Sequence, residues 1–120
     1  MIEFYHLGHG GRYTQYLNDT VRKISRRRPA LIGAKRQGTR SHTVVITQGA
    51  PPLTEGRLRT ILAGREVTFI LGDSRGVPSA LVSEADEAVS LSQLCLPHHL
   101  EAAVLVEQVE RIVSEEPDYA

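Results

Sequence analysis

Val67-Thr68-Phe69-Ile70-Leu71-Gly72-Asp73-Ser74-Arg75-Gly76 is the stretch on which the fold turns. Five apolar or β-branched residues in a row read as a strand buried on both faces. The strand runs straight into a glycine turn. Further on, Ala88–Leu91 reads as a second strand of the same kind. A short polar loop follows it, and a helix opens at Pro97. Two strand ends with flexible loops, followed by a helix start, make a ligand crevice at the carboxyl edge of a parallel sheet.

Outward from this stretch the chain alternates strand and helix. Met1–Leu7 reads as a strand stopped by Gly8-His9-Gly10-Gly11. Tyr13–Ser25 carries Tyr16, Leu17, Val21 and Ile24 at helical spacing and ends before Pro29. Ala30–Gly33 reads as a short edge strand within a basic stretch, residues 29–42, expected to be largely loop. Thr43–Thr47 is β-branched throughout and reads as a buried strand. Thr54 opens a helix to about Ala63, with Gly64 as its C-cap. Pro78 opens a short helix to about Glu87, and the last helix runs from Pro97 to about Ser114. The pattern predicts one α/β domain over residues 1–120, with a mainly parallel sheet and helices on both faces.

Composition excludes several classes. The chain has 120 residues, 41% hydrophobic and 23% charged, as in ordinary globular domains. No run is long enough to span a bilayer, and Met1-Ile2-Glu3-Phe4 does not read as a signal peptide. The single Cys95 rules out an internal disulfide and fits a reducing, cytoplasmic setting. Adjacent His98 and His99 point apart on a helix and have no third ligand nearby in sequence, so no metal is expected. The turn at Gly72–Gly76 lacks the Gly-Lys-Ser/Thr ending of a phosphate loop and the G-x-G-x-x-G of dinucleotide folds.

The zero net charge hides a division. Residues 1–42 hold nine Lys/Arg against Glu3 and Asp19, a balance of +7, and residues 43–120 carry the opposite −7. Such asymmetry points to a polyanion. Arg12, Arg26, Arg27, Arg28, Lys35, Arg36 and Arg40 are the candidate phosphate contacts, although the basic half also has the acidic half to pair with. The last helix presents a wide apolar stripe: Leu100, Ala103, Val104, Leu105, Val106, Val109, Ile112 and Val113. Its width suggests a partner surface as well as a core.

The order Leu71-Gly72-Asp73-Ser74-Arg75-Gly76, then Ser90-Leu91-Ser92-Gln93-Leu94-Cys95-Leu96-Pro97-His98-His99-Leu100, resembles the SPOUT (α/β-knot) RNA methyltransferases. The likeness is closest to the small members that methylate N3 of pseudouridine in large-subunit ribosomal RNA. The resemblance implies a C-terminal trefoil knot and a homodimer built on the last helix. It also implies an S-adenosyl-L-methionine site at Ile46, Thr47, Gly72, Asp73, Gly76, Ser92, Gln93, Leu94, Cys95, Leu96 and Pro97. Asp73, His98 and Tyr119 are the candidates for removing a proton from the methylated nitrogen. The sequence departs from that family in Asp73, where a second glycine is usual, in Arg75, where a glutamate is usual, and in ending Asp118-Tyr119-Ala120 without histidine. Three functions fit: an RNA methyltransferase, a knotted RNA-binding protein without catalysis, and an unrelated small α/β protein.

Overall fold

The computed structural model describes residues 1–34 and 40–116. Along these residues run β1 (Ile2–His6), α1 (Thr14–Ser25), β2 (Ala30–Gly33), β3 (His42–Ile46), α2 (Glu55–Leu62), β4 (Val67–Leu71), α3 (Ser79–Glu84), β5 (Glu87–Val89) and α4 (His98–Val113). A 3₁₀ turn at Gly11–Tyr13 precedes α1. The strands form one sheet in the order β2-β1-β4-β3-β5, every neighbour pair parallel. Val67–Leu71 is buried at every residue, as its unbroken apolar run requires.

The register places Ile2, Phe4 and His6 beside Val67, Phe69 and Leu71, and Val44 and Ile46 beside Phe69 and Leu71. Phe4 and Phe69 stack with ring centroids 5.5 Å apart. Against this face pack Leu17, Val21 and Ile24 of α1, Leu58, Ile61 and Leu62 of α2, and Leu105, Val106 and Val109 of α4. Each such side chain contributes about 1.5–3 kcal/mol by leaving water. The opposite face is more polar. Glu3 is buried there and accepts a hydrogen bond from Thr68 Oγ1 at 3.1 Å, and Ser41 Oγ lies 2.6 Å from the same hydroxyl. The helices divide unevenly between the faces. The crossovers through α1 and α2 step the same way across the sheet and the one through α3 steps back, so right-handed connections put α3 on the opposite side. α3 buries none of its residues.

Three boundaries and one surface differ from the sequence reading. α3 stops at Glu84 and β5 begins at Glu87, earlier than periodicity suggests. Asp86 draws the chain onto β3: its N–H bonds Thr43 O at 3.0 Å, and its carboxylate accepts from Thr43 N at 2.7 Å. Ser90 leaves the ladder for the loop after β3, where its N–H reaches Pro51 O and its hydroxyl reaches Ala50 O. Gly64 is not a left-handed cap: among the described residues the glycines with positive φ are Gly11, Gly49 and Gly76. α2 is closed instead by Arg28, which donates to Leu62 O and, at 2.7 Å, to Gly64 O. Finally, Val106 and Val109 are fully buried in the chain's own core, and only Leu100 and Val104 of the apolar stripe are left half-buried.

His6 closes β1 on the helix-covered face and is 4% exposed. Burial, reinforced by the neighbouring His98, His9 and His99, lowers its pKa from 6.5 to about 4. An unfolded chain therefore takes up a proton below pH 6.5 that the folded chain refuses. This stability is complete above that pH and is lost as pH falls toward 4. Chemical denaturation should show a loss of about 2 kcal/mol between about pH 7.5 and pH 5. His6→Leu should flatten that slope.

Candidate active site

All strands run the same way, so the ends of β1, β3 and β4 and the loops leaving them meet at one edge. Ile46 and Leu71 are register partners, which sets Thr47 beside Gly72. The main-chain N–H of Thr47 bonds Val89 O at 2.8 Å. Beyond β4 the chain folds back on itself: Gly76 N–H donates to Asp73 O at 2.9 Å with Gly76 at φ 88°. A Cβ on Gly72 would lie 2.5 Å from the carbonyl carbon of Gly76, so this approach of two main-chain segments admits only glycine. Asp73 holds the turn, its carboxylate accepting from Arg75 N at 2.8 Å and from the Arg75 guanidinium at 3.3 Å. Those bonds, the backbone one foremost, hold its carboxyl below the usual range.

The start of α4 docks onto the same edge. A Cβ on Gly8 would lie 2.7 Å from His98 Cδ2 and 3.0 Å from Asp73 Cα. The loop after β1, the turn after β4 and the first residue of α4 are thus in direct contact. Four imidazoles crowd there, with centroids 6.1 Å apart for His6–His98, 5.8 Å for His9–His98 and 5.0 Å for His98–His99. His6 Nε2, His98 Nε2 and His99 Nδ1 are buried without a hydrogen-bond partner. Among the described residues no group of three or more His, Cys, Asp or Glu is placed to hold a metal ion.

Between these elements lies a cavity of about 720 Å³, within the range of small-molecule sites. Of the residues singled out in the sequence, Ile46, Thr47, Gly72, Asp73, Gly76, Cys95, Leu96, Pro97 and His98 line it. Ser92, Gln93 and Leu94 do not. Ser92 Oγ accepts from Leu94 N at 2.9 Å and shapes the loop, while Leu94 is 75% exposed. Tyr119 lies outside the described residues. Gln48, Ser74, Arg75, Val77, His99 and Glu101 also line the cavity. Most of these are chain neighbours of expected residues. Glu101 had a weaker signal: it falls one helical turn beyond Pro97 and His98, on the same face.

The basic residues scatter. Arg12 is exposed in the 3₁₀ turn at the cavity edge of the sheet. Arg26, Arg27, Arg28 and Arg40 precede strands and lie at the opposite, amino edge. Arg28 caps α2 as described and pairs with Glu116 at 3.6 Å, and Arg27 donates to Glu116 O. Arg26 and Arg40 are exposed. Lys35 and Arg36 lie outside the described residues.

Residues 15–115 match the family described as "Predicted SPOUT methyltransferase". Among similar proteins, a "Ribosomal RNA large subunit methyltransferase H" of Thermus thermophilus is 39% identical over 82 residues, covering 67% of this chain and 59% of that protein. The protein of the same name from Prochlorococcus marinus (strain MIT 9515) is 30% identical over 74 residues, covering 59% and 54%. That from Listeria monocytogenes serotype 4a is 46% identical over 55 residues, covering 43% and 35%. The chain thus spans about half the length of the relatives it matches. With the family match running from α1 past the end of α4 and taking in the whole cavity, the chain belongs to the SPOUT methyltransferase family.

Proposed function

We propose that the protein methylates a base of large-subunit ribosomal RNA in the cytoplasm, N3 of pseudouridine by its family likeness, with S-adenosyl-L-methionine as donor. The observation that carries this reading is the glycine-walled cavity at the carboxyl edge, set inside the family match. Its walls suit an adenosine-type ligand: the main chain of Gly72 and residues 95–97 and the carbonyl of Thr47 offer polar groups for an adenine edge, and Ile46 and Leu96 offer apolar contact to its faces. Bound there, the cofactor supplies a methyl group already activated by its sulfonium. The protein's part is to align the attacked nitrogen and accept its proton. Asp73 is committed to Arg75 and held at a low pKa, which makes it a weak base. His98 is the better candidate among the described residues, since it lines the cavity and its ring Nε2 has no hydrogen-bond partner. The family likeness also implies that the segment of residues 92–97 threads a trefoil knot. In support, this segment leaves the β5 edge and crosses the ends of β3 and β4 to set His98 beside Gly8.

Two surfaces extend the proposal. Tyr13, Tyr16, Leu100, Ala103 and Val104 line an apolar groove between α1 and α4, where Tyr16 is 43% exposed. We place the homodimer contact there. For RNA, Arg12, Lys23, Arg26 and Arg40 are exposed and make no ion pair among the described residues. They put cations at both edges of the sheet, Arg12 at the cavity edge and Lys23, Arg26 and Arg40 toward the amino edge. A five-residue strand spans roughly 16 Å, about five phosphates along one strand of a duplex.

Titration calorimetry with S-adenosylmethionine should give binding that Gly72→Ala abolishes, because the added methyl meets main chain. RNA binding without any cofactor binding would instead favour a non-catalytic RNA-binding protein. Changing Arg12, Lys23, Arg26 and Arg40 to Ser should lower the log–log salt slope of RNA binding by about 0.7–0.9 per lost phosphate contact. Arg28→Ser should leave that slope alone and cost about 1–3 kcal/mol of stability through the uncapped carbonyls. An unchanged slope in the first variant would show that these cations do not meet RNA. Tyr16→Asp with Val104→Asp should turn a dimer into a folded monomer by light scattering, and a monomeric wild type would remove the dimer.

A further inference from the structure

The cavity holds two carboxylates in very different situations. Asp73 is matched in charge and in hydrogen bonds by Arg75. Glu101 is half-buried in the cavity wall and has no hydrogen-bond or ion-pair partner among the described residues. It sits in the first turn of α4, where the helix dipole favours a negative charge. Desolvation nevertheless wins, and burial pushes its pKa up from 4.5. The other charged or titratable groups lining the cavity are Arg75, turned onto Asp73 and 89% exposed, the imidazoles of His98 and His99, and the Cys95 thiol. Nothing there neutralises Glu101.

A carboxylate taken partly out of water with no partner carries a desolvation penalty that an entering cation offsets. We infer that Glu101 is the counter-charge for the sulfonium of the bound methyl donor and makes this cavity prefer the cationic donor over the neutral thioether left after transfer. This inference rests on the methyltransferase reading of the same cavity. The sulfonium fits the role because it is a diffuse cation without N–H groups, needing charge compensation and no hydrogen-bond acceptors of defined geometry. The physical consequence is directional. Loss of the methyl group removes the charge that Glu101 faces, so the product is held less tightly than the donor.

Calorimetry on the wild type and Glu101→Gln tests this without turnover, using S-adenosylmethionine, S-adenosylhomocysteine and sinefungin, in which a carbon bearing an amine replaces the methylated sulfur. The substitution keeps size and removes charge. Glu101→Gln should weaken the two cationic ligands about tenfold, equivalent to 1.4 kcal/mol, and leave S-adenosylhomocysteine within about twofold. Retained homocysteine-analogue binding also verifies that the variant is folded. Equal weakening of all three ligands, or no weakening of any, would overturn the inference while leaving the cofactor site in place. A wild type that binds none of the three would overturn both the cofactor reading and this inference.

Discussion

Parallel pairing of all five strands is the constraint from which the site follows. A parallel ladder leaves the last carbonyls and the next amides of each strand at one edge, where the following loops must satisfy them. Here the edge is stitched by main chain: Leu7 N–H to Leu71 O at 2.8 Å, Thr47 N–H to Val89 O at 2.8 Å, and Leu53 N–H to Ser90 O at 2.8 Å. The same register that stacks Phe4 on Phe69 in the core fixes the relative heights of Ile46 and Leu71 at the rim. Core packing and site geometry are therefore one piece of information, and a register slip would lose both.

Charge is organised on a separate plan. The acidic half pairs with its own arginines: Arg57 with Glu87, Arg59 with Glu55 and Glu115, and Arg111 with Glu55. These exposed networks contribute little to stability, but they occupy the carboxylates that would otherwise neutralise the basic half. Arg27 and Arg28 are spent on the carbonyls that follow α4 and close α2. What remains outward is a smaller cationic set than the sequence count suggests, and it is less offset.

Much of this was legible in the chain. Val67–Leu71 and residues 43–46 are strongly patterned, and their strand assignments and ends agree with the structure to within a residue. Cavity residues adjacent to glycine turns were legible for the same reason: a strand end and a turn locate main chain. Side-chain direction was not. Arg28 looks like a phosphate contact until the ends of α2 and α1 are seen to meet. Val106 and Val109 look like an interface until α4 is rotated onto its own core. Glu101 stands out only when the surrounding burial is known. Local spacing fixes which residues share a face. Which face looks inward is decided by elements far away in sequence.

The turn from Gly72 to Gly76 has one more implication. Its close contact is main chain against main chain, with Gly72 and Gly76 at the contact and the Asp73 carboxylate bridging to Arg75 N. Ser74 and Arg75 are exposed at the cavity mouth, with the Arg75 guanidinium folded back onto the Asp73 carboxylate. The wall shape and the rim chemistry are thus encoded at different positions. Substitutions at 74 and 75 can exchange charge or bulk at the mouth while the pocket behind keeps its dimensions. Sequence change can therefore vary the charge at the cavity mouth through two exposed side chains while the main-chain wall behind them keeps its shape.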